Sequence, residues 1–422
     1  MTGFTFIHAA DIHLDSPLLG LERYEGAPVE YVRGATRRAF RNLVDLALEE
    51  EAKFLLIAGD LYDGDWRDSN TGLFFTSQAA RLREAGIKLY LVRGNHDAAS
   101  QITRQLRLPD NVCDLSTEHA ETKILEELGV AVHGRGFPKP AVLDDLSRQY
   151  PEPLQGYFNI GLLHTCATGR EGHDSYAPCD IGYLKNKGYS YWALGHVHKK
   201  EVISEEPWIV FPGNTQGRHI RESGAKGCLL VRVQEGQIGS IEQKMLDVLR
   251  WHLCQVDVGE LFSYDEVLEA AQNSIDEALA LSEGRLLALR LVFTGTGGIH
   301  HKLAGKRDRL YGDLRSLAAE SGPDSAWVEK VQLKTAPGSA AKDIEPGSPL
   351  AALLQYAGEF SSDEKLLEEL VSELRRDRNA LPADIFVKGE MDPADPGYLQ
   401  ELLPEAEELI LSRLLEKEPD SR

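Results

Sequence analysis

The chain has 422 residues, long enough for two or three domains, and a composition of 42% hydrophobic and 27% charged residues that is ordinary for a soluble globular protein. Forty-six basic against 67 acidic residues leave a net charge of −21, which argues against a protein that grips nucleic acid through a basic surface of its own. No apolar run reaches the roughly 18 residues of a membrane span, no basic-then-apolar leader opens the chain, and the five cysteines lack CxxC spacing, so a cytoplasmic protein with reduced thiols is expected.

Phe4-Thr5-Phe6-Ile7 reads as a buried strand and runs into Asp11 and His13. Ala35 to Glu51 repeats apolar residues at helical spacing, and Phe54-Leu55-Leu56-Ile57 then predicts a second strand ahead of Gly59-Asp60. A helix over Gly72 to Ala85 and a strand over 88–92 lead to Gly94-Asn95-His96-Asp97. Further strands are predicted near 130–133, 158–163, 190–194, 208–211 and 228–233; the second runs into His164 and the third into Gly195-His196-Val197-His198. From about residue 250, a strand over Trp251 to Val258, a helix over 264–282 and a strand from Arg285 to Phe293 suggest a small α/β domain. Thr294-Gly295-Thr296-Gly297-Gly298 reads as a turn and matches neither a dinucleotide fingerprint nor a Walker A loop, so no ATP site is expected. Residues 336–349 are rich in Pro, Gly and small residues and read as a linker. Beyond it, Leu366, Leu367, Leu370, Val371 and Leu374, then Leu399, Leu402, Leu403, Ala406, Leu409, Ile410 and Leu414, give two amphipathic helical stripes among acidic residues. These stripes either pack on the chain's own domains or dock a partner helix.

The pieces at the strand ends supply Asp11, His13, Asp60, Asn95, His164, His196 and His198, with His96 left over. Two divalent ions about 3.5–4 Å apart need a carboxylate able to reach both, several neutral imidazoles and an open position for water or substrate. Imidazole, carboxylate and amide ligands without thiolate favour Mn²⁺, Zn²⁺ or Fe²⁺ over a structural zinc cage. Each piece alone is weak, since an isolated histidine is more often structural; five pieces in one order at strand ends are not. His8 and His133, inside strand-like runs, are expected to be structural, and His119, His173, His252, His300 and His301 lack a ligand partner at useful spacing.

Ala9-Ala10-Asp11-Ile12-His13-Leu14-Asp15-Ser16-Pro17-Leu18, Ala58-Gly59-Asp60-Leu61-Tyr62-Asp63-Gly64-Asp65-Trp66, Val92-Arg93-Gly94-Asn95-His96-Asp97, Ala193-Leu194-Gly195-His196-Val197-His198 and Phe211-Pro212-Gly213-Asn214-Thr215-Gln216-Gly217-Arg218-His219 together carry a resemblance. The chain resembles the calcineurin-like metallophosphoesterase superfamily, within it the SbcD group of DNA repair exonucleases, and within that the YhaO-type proteins. The resemblance is dense over roughly 1–245 and faint beyond. It implies a four-layer αββα sandwich over 1–245, a smaller α/β capping domain over 250–335, and a C-terminal helical region over 350–422. It assigns Asp11, His13 and His198 to one ion and Asn95, His164 and His196 to the other, with Asp60 shared. His96 would stabilise charge or protonate the leaving oxygen, Asp97 would hold the His96 ring through its other nitrogen, and Arg218 and His219 would lie on the substrate side. Archaeal and eukaryotic relatives carry a second catalytic histidine where this chain has Asp63, which removes one proton donor.

The implied partners are DNA and an SbcC/YhaN-like coiled-coil ATPase contacting the C-terminal helices, with a homodimer suggested by the family and Mn²⁺ the expected ion. The charge is uneven: from Glu345 onward 19 acidic stand against 8 basic residues, a net of −11, more than half of the excess. Lys199, Lys200, Arg218, Arg221 and Lys226 lie near the motifs and either touch a phosphate backbone or line a solvated loop. A metal-dependent DNA exonuclease or endonuclease acting with an ATPase is the leading reading. A phosphodiesterase or phosphatase on a non-DNA substrate is the second, and a scaffold with a relic site the third.

Overall fold

A computed structural model describes residues 3–16, 34–63, 69–99, 108–167, 177–322, 325–337 and 364–380, with single positions at 32, 352, 356, 402, 403 and 406. The chain divides into two compact units, one of residues 1–252 with 282–288, the other of 253–281 with 289–422. The expected linker beyond Pro337, His173 and most of the second amphipathic stripe lie outside the described residues.

The first unit is built on two six-stranded sheets. One runs β12 (Gln237–Met245), β11 (Gly227–Gln234), β1 (Phe4–Ala9), β2 (Phe54–Ala58), β3 (Lys88–Val92), β4 (Val112–Asp114), with β1 to β4 parallel and β11 antiparallel to both neighbours. The other runs β5 (Glu121–Leu125), β6 (Val130–Gly134), β7 (Phe158–His164), β8 (Tyr191–Gly195), β10 (Trp208–Phe211), β9 (Glu201–Glu205), parallel from β6 to β10 with an antiparallel strand at each edge.

Side-chain alternation sorts these residues into layers. Phe4 and Phe6 of β1 and Phe54, Leu56 and Ala58 of β2 meet Val130, Val132, Phe158, Ile160 and Tyr191 in a core between the sheets. Ile7, Ala9, Leu55 and Ile57 point the other way, onto Phe40, Leu43, Val44 and Ala47 of helix α1 (Ala35–Glu49) and Phe75 and Leu82 of α2 (Ser69–Glu84). On the far side of the second sheet, Leu163, Trp192, Leu194, Ile209 and Phe211 pack with Phe137, Tyr150 and Leu184. The four layers are helix, sheet, sheet, helix, the predicted αββα sandwich, and the parallel strands of both sheets end where the site loops begin. Helix α3 (Asn95–Ala99) starts within the third motif, and α4 (Ile181–Asn186) is capped by the Asp180 carboxylate.

The second unit holds most of a three-stranded sheet, β13 (Leu249–Asp257), β14 (Leu286–Gly297), β15 (Ala326–Pro337). Helix α5 (Tyr264–Ala280) is started by a Ser263/Glu266 capping box and buries Val267, Ala271, Ile275 and Ala278 on one stripe. Helices α6 (Ile299–Gly305) and α7 (Arg307–Glu320) were not foreseen, nor was β15, which takes in Ala336 and Pro337 from the expected linker. The expected turn at Thr294 to Gly297 is instead the end of β14. Its glycines are required by a close approach: a Cβ on Gly295, at φ +116°, would sit 2.5 Å from Asp257 Oδ1 and 2.6 Å from the Gly259 nitrogen. The first amphipathic stripe forms helix α8 (Glu364–Ala380), with Val371 buried and Glu368, Glu369 and Glu373 exposed.

Candidate metal centre

The loops after β1 and β2 run side by side. The Asp11 nitrogen donates to Gly59 O (3.1 Å), that of His13 to Asp60 O (3.0 Å) and that of Leu14 to Leu61 O (2.9 Å). Asp11 (φ 51°), His13 (φ 47°), Asp60 (φ 51°) and His196 (φ 108°) all occupy the left-handed backbone region, strain that clusters at functional sites. Gly59 and Gly94 admit the side chains: a Cβ on Gly59 would lie 2.2 Å from His164 Nδ1, and one on Gly94 2.2 Å from Asp60 Oδ1.

Hydrogen bonds fix the tautomers here. His164 Nδ1 is 2.9 Å from the Ala58 carbonyl, which can only accept, so the proton is on Nδ1 and the Nε2 lone pair points inward. That lone pair faces Asn95 Oδ1 at 3.0 Å and Asp60 Oδ2 at 3.4 Å, two further acceptors. On the other side the Glu222 carboxylate is 2.6 Å from His198 Nδ1, so His198 turns its bare Nε2 towards His13 Nε2, 3.3 Å away. The Asp63 carboxylate faces His13 Nδ1 at 3.3 Å. Acceptors converging without a donor repel one another unless a cation sits among them. The ligand atoms of Asp11, His13 and His198 lie within 4.8 Å of one another, as do those of Asp60, His164 and His196 and those of His13, Asp60 and His96. Asp60 Oδ2 faces both halves, 3.4 Å from His164 Nε2 and 3.9 Å from His13 Nε2, while Oδ1 accepts from the His96 nitrogen at 3.0 Å. Asp11 accepts from the His196 nitrogen through both oxygens (3.1 and 3.0 Å).

Burial and charge set the protonation. Burial, reinforced by Asp60, pushes the Asp11 carboxyl well above the usual range. Burial also raises Asp60, but the His164, His13 and His96 imidazoles outweigh it and hold that carboxyl at about 2. Burial, with Arg218 nearby, lowers His13 to about 3, and burial lowers His198. Imidazole nitrogens and carboxylates gathered around Asp60, with no thiolate, fit a pair of borderline divalent cations.

The structure brings all seven predicted ligands together with His96, and it revises their neighbours. Asp97 does not touch the His96 ring: its buried carboxylate, raised to about 7 by burial and Asp60, accepts from the Gly94, Leu61 and Tyr62 nitrogens, tying two site loops together. Its place in the first turn of α3 aims it at backbone N–H groups. Asp63 takes the ring instead, its Oδ1 2.9 Å from His96 Nδ1, and raises the imidazole although burial opposes it. Arg218 is mostly buried between carboxylates, Nη2 3.1 Å from Glu222 Oε1 and Nη1 3.7 Å from Asp63 Oδ1; His219 is half-exposed, 3.6 Å from Glu222. Lys226, one of the basic residues set near the motifs, is buried and donates to the His198 carbonyl at 2.8 Å, so it is not a surface contact, whereas Lys199, Lys200 and Arg221 are exposed. His8 and His133 are structural: His8 donates to Leu194 O and accepts from Tyr191 Oη, and His133 pairs with Thr122 and Asn159. Glu222 had no motif signal, lying in a short turn 24 residues beyond the histidine it meets.

No helix among the described residues is long and apolar enough to cross a membrane. The calcineurin-like phosphoesterase family matches residues 4–200, and the middle domain of metallophosphoesterase YhaO matches 251–336. A Bacillus subtilis protein described as an uncharacterized metallophosphoesterase YhaO is 36% identical over 300 residues, 70% of this chain and 73% of its own. The DNA double-strand break repair protein Mre11 of Sulfurisphaera tokodaii is 24% identical over 62% of this chain and 67% of its own, and that of Methanopyrus kandleri 24% over 76% and 69%.

Proposed function

The chain belongs to the YhaO-type members of the calcineurin-like phosphoesterase family, and from that premise we propose that this metallophosphoesterase is a cytoplasmic nuclease subunit that hydrolyses DNA phosphodiesters with two Mn²⁺ ions. Asp11, His13 and His198 would hold one ion and Asn95, His164 and His196 the other, with Asp60 between them. The observation that carries this is the convergence of acceptors on two points: His164 Nε2, Asn95 Oδ1 and Asp60 Oδ2 on one, His13 and His198 Nε2 on the other. Two such ions supply Lewis acidity to the phosphate oxygens and lower the pKa of bound water. The chain's own part is proton handling and orientation. His96, held by Asp63 at Nδ1, keeps Nε2 available to hand a proton to the leaving oxygen. Arg218 keeps Asp63 and Glu222 in place, and His219 and the exposed Lys199, Lys200 and Arg221 are the candidates for phosphate contact beyond the reacting bond.

Support for DNA comes from the Mre11 relatives, and support for an ATPase partner from the SbcD-like motifs and the amphipathic helix α8. The net charge of −21 favours a second reading, a phosphodiesterase on a small substrate. Purified chain with Mn²⁺ assayed on duplex DNA, single-stranded DNA and a phosphodiester dye ester, with and without the ATPase, separates the two. Cleavage of at least one DNA form is expected; dye-ester cleavage with no DNA cleaved, ATPase present, sinks the nuclease reading. His96→Ala is expected to lower turnover by about 10²–10⁴-fold with Mn²⁺ still bound.

A further inference from the structure

Glu222 is a buried carboxylate with every lone-pair direction taken. Its Oε1 accepts from His198 Nδ1 (2.6 Å) and Arg218 Nη2 (3.1 Å), and its Oε2 from Asn214 Nδ2 (2.9 Å) and the Arg218 nitrogen (2.8 Å). Two donors on each oxygen leave the group no freedom to rotate. Burying a carboxylate costs several kcal/mol, and Arg218 alone could offset much of that from one side. The short contact to an imidazole whose other nitrogen faces His13 is what loop packing does not require. Since an ionised carboxylate only accepts, the 3.3 Å approach of Arg218 Nη2 to His198 Nδ1 brings two donors together and is not a hydrogen bond. The Lys226 ammonium meanwhile holds the His198 carbonyl at 2.8 Å, so backbone and ring of this histidine are both fixed from one short segment.

We propose that Glu222 is a positioning residue for the metal centre: it fixes His198 as the Nδ1–H tautomer, so that Nε2 is committed to the first ion, and through Arg218 it ties that histidine to Asp63 and His96. The proposal rests on the two-metal reading above. Outer partners of this kind tune affinity by about 10–100-fold, and here one ion position is affected and the other is not.

The test is calorimetric titration of the metal-free full chain with Mn²⁺ alone, beside ¹⁵N NMR of histidine-labelled metal-free protein, the His198 ring being assigned with His198→Gln. The wild type is expected to show Nδ1–H at His198 and to bind two ions. Glu222→Ala is expected to lose the Nδ1–H signature and weaken one ion by about 10–100-fold with the other unchanged. Glu222→Gln, whose amide oxygen can still accept from His198 Nδ1 while its NH2 meets the Asn214 and Arg218 donors, is expected to keep the Nδ1–H signature and to weaken that ion less than Glu222→Ala does. An Nε2–H tautomer in the wild type overturns the proposal, as does wild-type binding of both ions by Glu222→Ala, or a loss in Glu222→Gln as large as in Glu222→Ala. Should Glu222→Ala fail to fold, the wild-type tautomer and Glu222→Gln still decide. A wild type that binds no Mn²⁺ defeats the two-metal reading itself, a result distinct from any that defeats Glu222 alone.

Discussion

His8 shows how a histidine one turn of chain from the metal loop serves the fold. Its ring is fully buried between the sheets as the neutral tautomer, and burial lowers its pKa to about 3 although the Leu194 carbonyl opposes this. An unfolded histidine titrates near 6.5, so between about 6.5 and 3 the unfolded chain binds the extra proton. The stability His8 contributes is therefore fully present above about pH 6.5 and lost as pH falls towards 3. Urea unfolding of metal-free protein at pH 7 and pH 5 should show a drop about 2 kcal/mol smaller in His8→Gln than in wild type; equal drops would remove His8 as a cause. The same scale shows what the sequence could not convey about the site. Seven candidate ligands were legible because each follows an apolar run or a glycine, but the His96 ring, expected to be held by Asp97, is met by Asp63. Which carboxylate meets the His96 ring depends on loop geometry at φ values of about +50°, and residue spacing carries no trace of that.

Among elements, legibility followed burial. β2, β3, β7 and β8 are buried along nearly their whole length, and β2, β3 and β8 read as apolar runs, while in β7 Asn159 interrupts the run that resumes at Ile160. The strands not foreseen, β4, β5, β9, β12 and β15, lie at sheet edges, where one face is wet and charged or polar residues dilute the pattern. In β14 glycine acted against its usual meaning, marking a close strand approach instead of a turn. The glycines of the site can be tested in the same terms. Gly94→Ala drives a Cβ into the Asp60 carboxylate and backbone nitrogen, at 2.2 and 2.8 Å. It should cost about 1–3 kcal/mol and abolish tight Mn²⁺ binding. Gly312→Ala, exposed in α7 with nothing within 4 Å, should instead stabilise by about 0.5–1 kcal/mol in thermal unfolding. Intact Mn²⁺ binding by Gly94→Ala would show that Asp60 has room the geometry denies it.

At the scale of the whole molecule the charge and the chemistry pull apart. A site suited to phosphodiester cleavage sits in a chain of net charge −21, and the last 78 residues carry −11 of it. Under the proposed nuclease role, that imbalance is what assigns part of DNA capture to the proposed ATPase partner and a docking role to the C-terminal region. Deleting residues 350–422 should abolish co-purification with the ATPase while leaving dye-ester hydrolysis intact; retained co-purification counts against docking there. The central claim, two ions sharing Asp60, is tested most directly by counting Mn²⁺ bound to the metal-stripped full chain by calorimetry. Two ions per chain in the wild type, and weakening of both in Asp60→Asn, are predicted; a single ion, or an Asp60→Asn protein that binds two as tightly as wild type, would contradict the account.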